Sequence, residues 1–117
     1  MKIGIDIQEV GPVKRFIGTN KMGRVFSVYE LDYIKSKGNA ERTVAGLYCA
    51  KEAFFKAVGC GIKISKLKEV EVKHDRNGAP FYNLSEDVKA EFSVAEKSVV
   101  LSISHTGVVA VAVCAIY

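Results

Sequence analysis

A long stretch without proline dominates the middle of the sequence. Residues 39–58 are rich in alanine, glutamate, lysine and phenylalanine, a composition that favours an α-helix. Gly59 follows at once, and glycine is the residue best suited to the left-handed turn that ends a helix. A helix of this length is stabilised mainly by packing against other elements. We therefore expect it to form the centre of the fold.

Several short segments have the pattern of β-strands. Apolar and polar residues alternate near the N-terminus, which predicts a strand with Ile3, Ile5 and Ile7 on a buried face and Asp6 on the other. Asn77-Gly78, the strongest short hairpin signal, separates two further strand-like segments. Residues 98–116 contain two more such segments around the corner at 105–107.

Three shorter helices complete the pattern. Pro12–Ile17 precedes Gly18, Ser27 and Glu30 form a capping box, and Ser85 is a typical N-cap. No repeat, linker or low-complexity segment interrupts the chain. We predict one α+β domain over residues 1–117, with a long central helix packed on a small antiparallel sheet.

Composition excludes several functional classes. The longest apolar run, residues 108–117, has about half the length of a membrane-spanning helix, and Asp6 interrupts the segment where an export signal would be apolar. We expect a cytoplasmic protein with no membrane partner. Three widely spaced cysteines suggest neither a disulfide framework nor a zinc site. The net charge of +4 favours acidic partners. The sequence has no stripe of basic and aromatic residues of the kind that binds nucleic acid, so we do not expect a nucleic-acid partner.

Two acids and a lysine are the strongest candidates for chemistry. Glu52 and Lys56 lie four residues apart on one face of the long helix, with Lys51 beside them. The simplest interpretation of this pair is a surface salt bridge. If the first strand packs beside the helix, however, Asp6 and Glu52 supply two oxygen ligands of the kind that Mg²⁺ prefers. His105 at a hairpin corner and the glycines after the helix have ordinary structural explanations when each is considered alone.

Four blocks of the sequence, taken in order, resemble the holo-acyl-carrier-protein synthase family. They are Gly4–Val10, Ala45–Ile62, Asp75–Pro80 and Leu101–Thr106, and together they span most of the chain. The resemblance implies Mg²⁺ bound by Asp6 and Glu52, catalysis by Glu52 and Lys56, and transfer of phosphopantetheine from coenzyme A to a serine of an acyl carrier protein. It also implies coenzyme contacts from a set of residues comprising Lys51, Lys56, Gly59, Gly61, His105 and Thr106.

The family resemblance further implies a homotrimer with active sites between subunits. Lys14, Arg15 and Arg24 are our candidates for contact with the acidic carrier protein. The chain departs from the family at three positions. Pro12 and Leu47 stand where relatives often have arginine, and Cys60 stands where they usually have threonine. Two alternatives remain open: a nonenzymatic protein-binding module on the same fold, and a transferase of broader range, although that group typically has longer chains.

Overall fold

The computed structural model describes residues 1–117 and contains two antiparallel sheets. Strands β1 (Lys2–Glu9), β4 (Val99–His105) and β5 (Val109–Ile116) form a three-stranded sheet in the order β1-β5-β4. Strands β2 (Val70–His74) and β3 (Pro80–Leu84) form a separate hairpin. The predicted α+β class is confirmed, with two small sheets in place of the single sheet expected.

The central helix is close to the predicted one. Helix α3 spans Ala40–Val58, the Asn39 side chain caps it by accepting a hydrogen bond from the Arg42 N–H, and Gly59 ends it with a φ of 86°. Its buried side chains pack on β1 and β5. It is not a membrane helix, since none of the helices combines the length and apolar character needed to cross a bilayer.

The prediction for the first strand assigned its two faces the wrong way round. Ile3, Ile5 and Ile7 are 58–67% exposed, whereas Gly4 and Asp6 are buried. Gly4 explains the difference, because a Cβ atom placed there would lie 2.0 Å from the Ala53 carbonyl oxygen. The absence of a side chain lets α3 approach the glycine face closely, so that face is covered and the isoleucine face is not.

The shorter elements agree in part with the prediction. Helix α1 (Met22–Val25) was not expected, and a 3₁₀ turn at Gly11–Arg15 replaces the helix expected at Pro12–Ile17. Helices α2 (Val28–Ser36) and α4 (Glu86–Glu91) begin after the predicted caps, and the Ser27 capping box is complete. A second 3₁₀ turn, Ile64–Glu69, leads into β2.

All three cysteines are free thiols. Cys49 and Cys114 are buried and Cys60 is half-buried. Burial, together with the nearby Asp6 carboxylate, raises the pKa of Cys49 to about 12, and burial raises the pKa of Cys114 to about 11. The two buried thiols are therefore protonated at neutral pH and act as apolar packing groups.

Candidate active site

Asp6 lies on the covered face of β1, directly beside α3. Its side chain is only 6% exposed. Lys56 Nζ donates a hydrogen bond of 2.9 Å to Asp6 Oδ1, and the second oxygen, Oδ2, is buried without any hydrogen-bond partner. A buried carboxylate oxygen with no partner is costly in a folded protein. Asp6 Oδ2 therefore marks a position where a cation or a hydrogen-bond donor could bind.

Glu52 faces the same position from α3. Burial raises the pKa of Glu52, the neighbouring Asp6 carboxylate raises it further, and Tyr48 and Lys56 act in the opposite direction. Burial and the Glu52 charge in turn raise the pKa of the Tyr48 phenol to about 12, so Tyr48 is a neutral hydrogen-bond donor at physiological pH. Two carboxyl groups that disfavour each other's charge attract either a shared proton or a cation.

The Asp6–Glu52 pair fits a magnesium ion. Mg²⁺ commonly binds one or two carboxylates and fills its other positions with water and substrate phosphate oxygens. The structure contains no cluster of three or more His, Cys, Asp or Glu side chains that could surround a metal by themselves. The unpartnered Asp6 Oδ2 is the observation that favours a cation here, and the open coordination positions suit a phosphate-bearing substrate.

Lys56 is the solvent-exposed cation of this site. Its side chain is 55% exposed and its only ion pair is with Asp6. The hydrogen bond and charge of Asp6 raise the pKa of the lysine, so the ammonium group is fully protonated at neutral pH. Because the lysine lies at the solvent edge, it can contact a phosphate group that approaches the two carboxylates.

The prediction that Lys51 contacts the coenzyme is wrong. Lys51 is fully buried, and its Nζ donates to Glu30 Oε1 at 2.9 Å, to the Leu67 carbonyl at 2.7 Å and to the Val70 carbonyl at 2.9 Å. These bonds use all three of its hydrogens. Lys51 is separated from Glu52 by about 100° around the helix axis, so it points into the core and joins α3 to α2 and the start of β2.

The glycines after α3 are exposed. Gly59 has the left-handed conformation that ends the helix, and a Cβ atom at either Gly59 or Gly61 would contact nothing within 4 Å. Packing therefore does not require glycine at Gly61. Coenzyme binding by these two residues stays a prediction.

His105 and Thr106 lie on the other flank of α3. In the sheet register, Asp6 pairs with Ala112 of β5, and Ala112 pairs with Ile103 of β4. Asp6 and Ile103 are thus separated by two strand spacings, about 10 Å, and His105 lies two residues further along β4. Within one protomer, the structure does not bring His105 together with Asp6 and Glu52. The Thr106 hydroxyl accepts hydrogen bonds from two N–H groups of the turn that follows.

The pocket beside His105 contains residues that the sequence analysis missed. A cavity of about 150 Å³ is lined by His105, Arg42, Thr43, Tyr33 and His74, among others. These residues come from four different elements, so no local sequence pattern could have indicated them.

An apolar groove opens next to the carboxylate pair. It has a volume of about 460 Å³, and its lining includes Gln8, Tyr48, Phe16 and two cations, Lys21 and Arg24. Gln8 follows Asp6 on the same face of β1, and Tyr48 precedes Glu52 by one helical turn, so the groove begins at the acidic site. Of the three predicted carrier contacts, Arg24 lines this groove, whereas Lys14 and Arg15 lie in the adjoining 3₁₀ turn.

Several known proteins are similar to this chain over nearly its whole length. A holo-[acyl-carrier-protein] synthase of Caldicellulosiruptor saccharolyticus is 43% identical over 120 residues, covering 97% of this chain and 93% of the relative. A holo-(acyl-carrier-protein) synthase from Bacillus anthracis, solved in complex with coenzyme A (3′,5′-ADP), has 35% identity, a TM-score of 0.82 and coverage of 98% and 94%.

A third comparison extends the likeness to a more distant structure. The holo-[acyl-carrier-protein] synthase of Neisseria meningitidis has a TM-score of 0.87 at 28% identity, covering 99% of this chain and 97% of that one. The model of the 4′-phosphopantetheinyl transferase superfamily matches residues 2–114. With nearly the whole chain matched, this protein belongs to the 4′-phosphopantetheinyl transferase superfamily.

Proposed function

We propose that this protein is a holo-acyl-carrier-protein synthase that transfers 4′-phosphopantetheine from coenzyme A to a serine of an apo-acyl carrier protein. The observation that carries the proposal is the Asp6–Glu52 pair, with its buried unpartnered oxygen beside the exposed ammonium of Lys56. A pair of this kind suits a magnesium-bound pyrophosphate, and the relatives at 35–43% identity have the same named activity or a coenzyme A complex.

The reaction exchanges one phosphorus–oxygen bond for another. The serine oxygen of the carrier protein forms a bond to the β-phosphorus of coenzyme A, and the bond from that phosphorus to the bridging oxygen breaks. The leaving group is 3′,5′-adenosine bisphosphate. Bound Mg²⁺ supplies charge neutralisation for the pyrophosphate oxygens. The serine proton passes to Glu52 or to a water molecule.

The protein's own residues position the substrate. Asp6 and Glu52 would hold the magnesium ion, and the exposed Lys56 would contact the phosphoryl oxygens where charge develops. Tyr48 stays neutral and orients Glu52. Gly59, Gly61, His105 and Thr106 are proposed to contact the coenzyme, as the family resemblance implies.

The carrier protein is proposed to dock at the apolar groove. The groove begins at the acidic site, so a bound helix would present its serine to the phosphate. Lys21 and Arg24 in the groove, with Lys14 and Arg15 nearby, provide positive charge that complements an acidic carrier. We also propose that the enzyme acts in the cytoplasm and serves fatty acid biosynthesis.

The outer face of the three-stranded sheet is proposed to form the homotrimer interface. Ile3, Ile5 and Ile7 pair in the β1–β5 register with Ala115, Val113 and Val111, so the uncovered face is apolar over two adjacent strands. Contiguous apolar surfaces of this kind usually mark an interaction site. Self-association through the isoleucines would bury them, and the active sites are proposed to lie between subunits.

The direct test is the intact mass of an apo-acyl carrier protein incubated with this protein, coenzyme A and Mg²⁺. A gain of about 340 Da, the mass of one phosphopantetheinyl group less the displaced hydrogen, is expected with Mg²⁺ and not with EDTA. A folded protein that produces no gain with several carrier proteins would refute the proposed activity.

A further inference from the structure

Gly4 lies on the covered face of β1, two residues before Asp6. Both positions face α3, because alternate residues of a strand share a face. A Cβ atom added at Gly4 would lie 2.0 Å from the Ala53 carbonyl oxygen, 2.5 Å from the Ala57 nitrogen and 3.1 Å from the Ala53 carbonyl carbon. All three atoms belong to the helix backbone, so no side chain could rotate away to make room. Strand β1 therefore approaches α3 here more closely than any residue with a side chain would allow.

The helix residues that Gly4 contacts are the neighbours of two site residues. Ala53 directly follows Glu52, and Ala57 directly follows Lys56. In a regular helix the Ala57 N–H also donates to the Ala53 carbonyl, so the two contacted atoms are joined by one backbone hydrogen bond. Because consecutive Cα atoms are about 3.8 Å apart, a movement of the helix backbone at this contact carries Glu52 and Lys56 with it.

The separation of β1 and α3 determines how far Asp6 lies from the helix. An alanine at Gly4 would have to move from 2.0 Å to at least 3.0 Å from the Ala53 oxygen, a displacement of about 1 Å or more. The Asp6 side chain has a single methylene group and is only 6% exposed, so it cannot extend across a wider gap. Magnesium–oxygen distances are about 2.0–2.1 Å, and metal sites keep their distances within about 0.2 Å. The displacement is several times larger than this tolerance.

We propose that Gly4 is a positioning residue for the metal site: because it has no side chain, it sets the separation of β1 and α3 at which Asp6 and Glu52 can share one magnesium ion. This inference rests on the proposed function, which assigns the ion to that pair. Mg²⁺ needs near-octahedral geometry, whereas Ca²⁺ accepts irregular shells of about six to eight oxygens at about 2.3–2.6 Å. A wider site should therefore lose more affinity for Mg²⁺ than for Ca²⁺.

The test measures metal affinity in the absence of coenzyme. Binding of Mn²⁺, which like Mg²⁺ prefers oxygen ligands in an octahedral arrangement, can be followed by electron paramagnetic resonance, with Mg²⁺ and Ca²⁺ as competitors. Gly4→Ala should weaken Mn²⁺ and Mg²⁺ binding by about 10- to 100-fold, the usual loss when groups that orient metal ligands are altered. Ca²⁺ binding should weaken by about threefold or less. A loss of stability alone would leave the ratio of Mg²⁺ to Ca²⁺ affinity unchanged.

A longer carboxylate should compensate for the wider gap. Asp6→Glu adds one carbon–carbon bond of about 1.5 Å, which is close to the displacement that an alanine requires. On the unaltered strand this change should weaken Mn²⁺ binding about tenfold, whereas Gly4→Ala/Asp6→Glu should bind Mn²⁺ at least about threefold more tightly than Gly4→Ala. Circular dichroism and thermal melts check that each variant is folded. If Gly4→Ala does not fold, Asp6→Glu alone still tests the spacing, because wild-type Mn²⁺ affinity in that variant would overturn the inference.

Gly23→Ala is the matched control. Gly23 lies in α1, and a Cβ atom there would contact nothing within 4 Å, so the same substitution should keep the wild-type affinity for all three cations. An unchanged ratio of Mg²⁺ to Ca²⁺ affinity in folded Gly4→Ala, or no Mn²⁺ binding by the wild type, would overturn the inference. The mass assay with coenzyme A separates the two proposals. Transfer by the wild type with unchanged metal affinities in Gly4→Ala contradicts only the role of Gly4, whereas no transfer with the expected metal affinities contradicts only the proposed activity.

Discussion

Removal of Lys51 should destabilise the protein strongly. Lys51 and Glu30 form an ion pair in which both side chains are fully buried. The substitution Lys51→Met keeps most of the side-chain volume but leaves the Glu30 charge unpaired and two carbonyls without a donor. Breaking one side of a buried pair costs about 3–5 kcal/mol. That is a large share of the total stability of about 6–18 kcal/mol expected for a chain of this length.

The cost translates into a large change in melting temperature. An unfolding entropy of about 2.1 cal/mol/K per residue predicts a drop in Tm of roughly 12–20 °C for a chain of this size. Lys68 is exposed and forms no ion pair, so Lys68→Met should change the free energy of unfolding by less than about 0.5 kcal/mol. Both variants can be compared by thermal melts and by urea titration with a constant m-value.

A double variant tests the charge argument. In Lys51→Met/Glu30→Gln both buried charges are gone, while the glutamine amide oxygen retains an acceptor for the Ser27 or Val72 N–H that Glu30 binds in the wild type. The double variant should be more stable than the sum of the two single losses predicts, by at least about 1 kcal/mol. Strict additivity, or a Lys51→Met variant that melts within a few degrees of the wild type, would refute the reasoning.

The other predictions concern the active site, pH and assembly. Glu52→Gln should lower transfer by about 100-fold or more with no loss of stability, and normal activity at limiting Mg²⁺ would contradict the metal site. Lys56→Ala should lower kcat/KM for coenzyme A by about 10- to 100-fold while changing the free energy of unfolding by about 1 kcal/mol or less; an unfolded variant would indicate a structural role. Burial and a nearby lysine lower the pKa of His74 in the folded state, so the unfolded chain binds the proton more tightly. The free energy of unfolding should therefore be highest above pH 6.5 and should fall as the pH drops through the lowered pKa. His74→Gln should reduce this pH dependence in urea titrations. Ile5→Asp should convert a trimer to a 12.8 kDa monomer in light scattering, whereas Val28→Asp, at an exposed position outside the sheet, should not.

Local sequence signals predicted the elements better than the surfaces that they cover. The end of α3 at Gly59 and the capping box at Ser27 depend on neighbouring residues, and both are confirmed. The covered face of β1 was predicted wrongly because alternation shows that a strand has two faces but does not show which one is buried. The buried face is determined by Gly4, which lets α3 approach at Ala53, and this tertiary contact is not visible in the local sequence.

The site residues were predictable to the extent that they lie on one regular element. Glu52 and Lys56 share a helix face, and the approach of Asp6 follows from the packing of β1 on α3. The burial of Lys51 depends on Glu30, 21 residues earlier in the chain, and on carbonyls at and just before the start of β2. The pocket of Arg42 and His74 likewise forms only when distant segments meet, so neither could be inferred from spacing.

The state of the cysteines affects how an enzyme of this kind tolerates its own substrate. Coenzyme A carries a free thiol, which in its oxidised forms exchanges with protein thiolates to give mixed disulfides. With a pKa of about 12 for Cys49 and about 11 for Cys114, almost no thiolate exists at neutral pH, and both sulfur atoms are buried. Cys49, which lies beside Asp6, is thus protonated and unreactive. Oxidised coenzyme A should therefore form no mixed disulfide next to the Asp6–Glu52 pair.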